Sequence, residues 1–167
     1  SKSEEFLAPC PTGEDTYVLC PKCGFAANVE AMVTKVAAGD ASKVPAMEEL
    51  DTPNTPTIDS LVAILNEKFG GGFTGAATLK NVMLMADSKA ISVLVPGDRE
   101  VDLKRLQAGL AGVEELRTFE EADFAKYPTL VKGYIGPQDA AKSGITVYAD
   151  PRVAPGTSWV TGANKLN

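Results

Sequence analysis

Val82-Met83-Leu84-Met85-Ala86-Asp87-Ser88-Lys89-Ala90-Ile91-Ser92-Val93-Leu94-Val95 holds two nearly unbroken apolar runs separated by a short polar break. Runs this short that do not alternate with polar residues predict strands in the middle of a sheet, buried on both faces.

The flanking segments read as helices and a further strand. Upstream, Thr55 is placed to cap a helix with Pro56 at its first position, and Ile58, Leu61, Val62, Leu65 and Phe69 make one apolar face. Gly70-Gly71-Gly72 ends that helix in a loop expected to be mobile; no GxxxxGK[ST] pattern surrounds it, so it is not a phosphate-binding loop. Downstream, Pro96-Gly97-Asp98 turns the chain into a helix with Leu103, Leu106 and Leu110 on one side. Thr118 and Glu121 have capping-box spacing for a further short helix, and 145–149 reads as a third apolar strand closed by Asp150-Pro151. At the other end of the chain, Tyr17-Val18-Leu19 reads as a short strand and Cys20-Pro21-Lys22-Cys23-Gly24 as a tight knuckle. Ala26, Val29, Met32, Val33 and Val36 predict an amphipathic helix over 25–38. Residues 40–54 read as a linker. The mixture predicts an α/β or α+β fold.

Composition narrows the chemistry. The 167 residues include no histidine, which excludes Ser-His-Asp and Cys-His catalysis, histidine-ligated zinc and a histidine pH switch. With 16 basic against 22 acidic residues and a net charge of −6, the chain is poorly suited to gripping long nucleic acid, though it can touch an end whose body is held elsewhere. No apolar run approaches the roughly 20 residues of a membrane span, and 1–6 has no signal-peptide core. The chain reads as cytoplasmic, with no membrane partner, and the missing initiator Met suggests a piece of a longer protein.

Several candidates for chemistry remain. Cys20 and Cys23 have the spacing of a zinc knuckle, with Cys10 as a conceivable third ligand, but a structural zinc site needs four ligands and reduced thiols are the simpler expectation. Lys80 stands before the first central strand. In Lys132-Gly133-Tyr134-Ile135-Gly136-Pro137, the glycines either make an ordinary turn or let backbone N–H groups approach an oxyanion. Gly162-Ala163-Asn164 is either an end-of-strand turn or a pocket border. Glu114, Glu115, Glu120, Glu121 and Asp123 read as a solvated helix face.

Taken together, Thr55-Pro56, Thr78-Leu79-Lys80, Gly97-Asp98, 133–137 and Gly162-Ala163-Asn164 resemble the insertion domain of bacterial-type prolyl-tRNA synthetases, a branch of the YbaK-like aminoacyl-tRNA deacylase family. Ser3-Glu4-Glu5-Phe6, Gly13-Glu14-Asp15 and Ala26-Ala27-Asn28-Val29-Glu30 resemble the synthetase core that leads into it, so the resemblance divides the chain into a core segment, 1–44, and an editing domain, 45–167. It implies a mixed, partly barrel-like β-sheet flanked by helices and the hydrolysis of alanine from mischarged tRNA(Pro).

Lys80 then matches the family's important lysine and residues 133–137 its GxxxP substrate loop. Gly136 would contribute backbone to catalysis, while Gly133, Pro137, Asp150 and Asn164 would line the substrate site. Arg99 stands where the family often has histidine. The resemblance further implies no cofactor for editing, and ATP and magnesium for a homodimeric parent ligase, bound mostly outside this segment. Two other readings compete: an architectural insertion without hydrolysis, and a zinc-stabilised binding module built on Cys20 and Cys23.

Overall fold

The computed structural model describes residues 6–13, 16–28, 31–33 and 35–166. The chain divides into two compact units, 1–35 and 36–167.

In the first unit, β1 (Tyr17–Leu19) pairs antiparallel with β2 (Ala26–Asn28), Tyr17 opposite Asn28 and Leu19 opposite Ala26. The expected helix over 25–38 is therefore corrected at its start. Residues 26–28 are committed to a cross-strand ladder, and the described residues after them continue no helix beyond one turn, where the Met32 N–H donates to the Asn28 carbonyl at 3.0 Å. Val29, part of that apolar pattern, lies outside the described residues. Helical spacing over a few residues is a weak local preference that strand pairing readily overrides.

The second unit is built on a four-stranded sheet in the order β5-β3-β4-β6. The two apolar runs form its centre: β3 (Leu79–Ala86) and β4 (Lys89–Pro96) make an antiparallel hairpin paired from Leu79 opposite Pro96 to Ala86 opposite Lys89. Asp87 takes the turn with a left-handed φ of 52°, which its short side chain tolerates. Its carboxylate accepts the N–H groups of Glu114 and Glu115 at 3.1 and 2.8 Å. β5 (Leu116–Thr118) adds antiparallel to β3, and β6 (Thr146–Ala149) adds parallel to β4. β5 carries no apolar run and was not legible as a strand; Thr118, expected to cap a helix, is its last residue.

Four α-helices accompany the sheet among the described residues: α1 (Ile58–Phe69), α2 (Leu103–Gly109), α3 (Glu121–Phe124) and α4 (Pro137–Lys142). The cap of α1 is Thr57 rather than Thr55. Thr57 and Ser60 exchange side-chain-to-backbone bonds in a capping box, while Thr55 is buried and its hydroxyl donates to the Thr52 carbonyl at 2.7 Å. Gly70 ends α1 in a left-handed conformation, and Asn66 ties the glycine loop down through two bonds to the backbone of Phe73. α3 is capped by Glu120, not Thr118, and α4 begins at Pro137 inside what reads as a loop.

Both faces of the hairpin are covered, as continuous apolar strands require. On one face Met83 packs with Leu130, Ile135, Ala140 and Ile145, fringed by Phe119, Phe124 and Tyr127. On the other, Leu84, Ala86, Ile91, Val93 and Val95 meet Leu103, Leu106 and Leu110. A fully buried Leu such as Leu84 contributes about 1.5–3 kcal/mol over an exposed one. The fold is mixed α+β, and its four paired strands form an open sheet rather than a closed barrel.

The acidic cluster divides. Glu114, Glu115, Glu120 and Glu121 are exposed, but Asp123 is buried. Its carboxylate receives the Arg117 guanidinium at 2.5 and 3.2 Å and the Glu120 N–H at 3.1 Å, which makes it an interior anchor.

Candidate functional site

The candidate residues of the second unit gather at one end of the sheet, where β3 begins and β4 and β6 finish. Residues 133–137 dock there on the Met83 face and are held from two sides. Gly133 turns the chain with a φ of 87°, and buried Ile135 roots the loop in the core. Pro137 opens α4 at its first position, where a missing N–H costs nothing.

From the sheet, the Asn81 side-chain amide donates to the Ile135 carbonyl at 2.9 Å. Its oxygen accepts the hydroxyl of fully buried Ser92 at 3.0 Å. From the opposite side, Gly162 lies directly against the loop: a Cβ on Gly136 would overlap the Gly162 carbonyl, and one on Gly162 would overlap the Tyr134 carbonyl. Two backbones approach this closely only where neither carries a side chain.

Asn164 completes the clamp. With a left-handed φ of 55°, it donates its N–H to the Tyr134 carbonyl at 2.6 Å. Its side chain accepts from the Val131 N–H and donates to the Thr129 carbonyl, each at 2.6 Å. In this arrangement the Asn164 amide holds the approach to the glycine loop.

Lys80 starts one residue before Asn81 and by strand alternation shares the other face, with Val82 and Leu84. Its ammonium lies 2.5 Å from the Glu100 carboxylate; the lysine side chain is 22% exposed and the glutamate 87%. Fully buried Thr78, on the same face, donates to the Gly75 carbonyl at 2.8 Å. It packs so closely on Gly97 that no Cβ fits there. Thr78 also bridges in parallel to Val160, which leads the chain into Gly162 and Asn164. Arg99 turns toward Asp98, its Nε 3.7 Å from that carboxylate.

Asp150 follows β6, its N–H donating to the Leu94 carbonyl at 2.8 Å. Its carboxylate is occupied by Arg152, through the backbone N–H at 2.8 Å and the guanidinium at 3.1 and 3.2 Å.

The structure thus brings Gly133, Gly136, Pro137 and Asn164 into one cluster. Lys80 and Asp150 stand at the same end of the sheet, each with an ionic partner of its own. Asn81, Ser92, Glu100 and Arg152 went unnoticed in the sequence. The available signal was that Asn81 and Ser92 are polar residues at or within apolar runs, at positions that share a face across the hairpin. A cavity of about 490 Å³ lies at the opposite end of the sheet, against the Asp87 turn.

In the first unit, Cys20 and Cys23 share the hairpin turn and Cys10 faces the Thr12 hydroxyl at 3.3 Å. Among the described residues no three His, Cys, Asp or Glu side chains gather where they could hold a metal ion.

Residues 52–167 match the family model of the aminoacyl-tRNA editing domain. The chain belongs to that family. The match covers α1, the whole four-stranded sheet and both arms of the glycine-loop clamp, and leaves the β1–β2 hairpin outside. The chain carrying this editing domain is 54% identical over 168 residues to proline–tRNA ligase 1 of Streptomyces avermitilis, covering 100% of the chain and 28% of that protein. It is 51% identical to the proline–tRNA ligase of Streptomyces coelicolor with the same coverage, and 51% identical to that of Nocardia farcinica, covering 98% of the chain and 30% of the ligase. It therefore spans less than a third of the length of these relatives.

Proposed function

We propose that the chain is the editing segment of a prolyl-tRNA synthetase and that residues 45–167 hydrolyse the ester of mischarged alanyl-tRNA(Pro). A pocket shaped for proline cannot strongly reject a smaller amino acid, because a missing methylene is worth only about 1–3 kcal/mol, and a second hydrolytic site supplies the remaining discrimination. Membership of the editing family and the proline–tRNA ligases among the relatives support this substrate.

The observation that carries the reading is the glycine loop clamped between Asn81, Gly162 and Asn164 at the sheet end where Lys80 stands. A backbone held this firmly is preorganised to donate N–H groups near Gly136 to the oxyanion that forms when water attacks the alanyl ester. The terminal ribose hydroxyl assists the water, so no histidine is needed. The ester C–O bond breaks, alanine leaves, and the tRNA hydroxyl is restored. Lys80, exchanging Glu100 for substrate, holds the terminal phosphate or the ester as a point charge. Gly133, Pro137, Asp150 and Asn164 border the substrate.

In the parent enzyme, a homodimer of the cytoplasm, ATP and magnesium serve the ligation of proline and take no part in this hydrolysis. Residues 1–44 belong to its synthetase core. Replacing Lys80 with Ala in the full-length parent should leave proline charging largely intact and let alanyl-tRNA(Pro) accumulate; unchanged clearance refutes the assignment. The pairing of Lys80 with Glu100 favours one alternative, an architectural insertion without hydrolysis. An intact parent that fails to deacylate alanyl-tRNA, yet loses charging when 45–167 is deleted, establishes that alternative.

A further inference from the structure

We propose that Cys20 and Cys23 form a reactive dithiol at the tip of the β1–β2 hairpin that exchanges with small-molecule disulfides and closes into an intramolecular disulfide. The inference is independent of the hydrolytic reading. The ladder of β1 and β2 ends at Leu19 opposite Ala26, and the turn between them is pinned twice. The Cys20 N–H donates to the Phe25 carbonyl at 2.8 Å, and the Gly24 N–H donates to the Cys20 carbonyl at 3.0 Å. Gly24, with a φ of 72°, supplies the left-handed residue that the reversal requires. Both thiols are therefore carried on one short, hydrogen-bonded turn, with Cys23 exposed and Cys20 partly so.

The turn also activates one of them. The backbone N–H of Cys23, then that of Lys22, then the Cys23 thiol stabilise the Cys20 thiolate and hold its pKa below the ordinary thiol value. With no third metal-binding side chain beside the pair among the described residues, thiol exchange suits these two sulfurs better than a closed four-ligand site.

The chemistry balances with a small-molecule disulfide as oxidant. The Cys20 thiolate attacks one sulfur, forming a mixed disulfide and expelling one small thiol. The Cys23 thiolate then attacks Cys20 Sγ, closing the protein disulfide and expelling the second. Two protein thiols lose two electrons and two protons, and the oxidant is reduced to two thiols.

The test equilibrates the full chain with oxidised and reduced glutathione and identifies the products by mass spectrometry and peptide mapping. With reduced glutathione near 0.1 mM, the closed Cys20–Cys23 form should exceed the mixed disulfide by roughly tenfold or more, since a tethered thiol acts at millimolar effective concentration. Cys10→Ser should close equally well, and Cys23→Ser should stop at glutathione on Cys20. The proposal is overturned by separate mixed disulfides on both cysteines without closure, by a bridge to Cys10, by equal closure in denaturant, or by stoichiometric zinc on the purified chain.

Discussion

Lys80 Nζ lies 2.5 Å from Glu100 Oε1, joining the start of β3 to the segment that leads into α2. The glutamate is almost fully solvated, so water screens the pair and holding two long side chains together offsets much of the attraction. Glu100→Gln should change the free energy of unfolding by less than about 1 kcal/mol in urea titrations, whereas Lys80→Ala also removes a mostly buried stem and should cost more. A larger loss in Glu100→Gln would mean that the pair supports the fold, and activity losses in Lys80 variants have to be corrected for unfolding.

The contact between Gly136 and Gly162 is backbone against backbone, so neither side can yield by a rotamer change. Gly136→Ala and Gly162→Ala should each destabilise the chain by about 1–3 kcal/mol, the usual cost of overpacking, or more where the loop cannot retreat. Gly109→Ala, where an added methyl meets nothing within 4 Å, is the matched control and should sit within about 0.5 kcal/mol of the parent chain. Thermal or chemical denaturation of the three variants separates these outcomes.

Asn164 combines a left-handed backbone with three hydrogen bonds to 129–134. Asn164→Ala loses the side-chain bonds and strains the backbone, and should cost about 1–3 kcal/mol. Asn164→Gly relieves the strain but restores no side-chain bond, so it should recover part of that loss. Hydrogen exchange should quicken at Val131 in both variants, because the Asn164 side chain is the acceptor for its N–H. Unchanged protection at Val131 would remove Asn164 from the clamp.

Asp123 supplies a pH dependence with a definite sign. Hydrogen bonds from the Arg117 guanidinium and then from the Glu120 N–H hold its carboxyl far below the ordinary value of 3.8. A folded-state pKa below that of the unfolded chain gives stability that is fully present above the unfolded value and is lost as pH falls through the acid range toward the folded one. Asp123→Asn should therefore be destabilised at neutral pH, with the gap to the parent chain narrowing progressively below about pH 4. Urea midpoints measured from pH 7 downward test this; a gap independent of pH would show that packing, rather than the ion pair, is the main contribution of Asp123.

Much of the second unit was legible along the chain. The apolar runs of β3 and β4 identify central strands because few other structures bury every side chain in succession, and α1, α2 and β6 follow from spacing and turn residues. The structure departs from the local pattern where that pattern is short. Thr57 and Glu120 cap helices attributed to Thr55 and Thr118, since several hydroxyls and carboxylates near a helix start compete and small shifts of the chain choose among them. The apolar spacing after Phe25 resembles a helix, but pairing with β1 draws residues 26–28 into a ladder.

By itself, the sequence determined the two strands at the centre of the sheet, the family motifs around Lys80 and 133–137, and the exclusion of histidine chemistry. These follow from composition and from periods of two or 3.6 residues, which every short window of chain carries within itself. Only the tertiary structure decided which distant groups meet: Asn81 with Ile135, Gly136 with Gly162, Asn164 with Val131, Lys80 with Glu100, and Arg117 with an interior Asp123. Each of these contacts depends on a partner whose position is set by the packing of the whole sheet and its helices, and no local period encodes it.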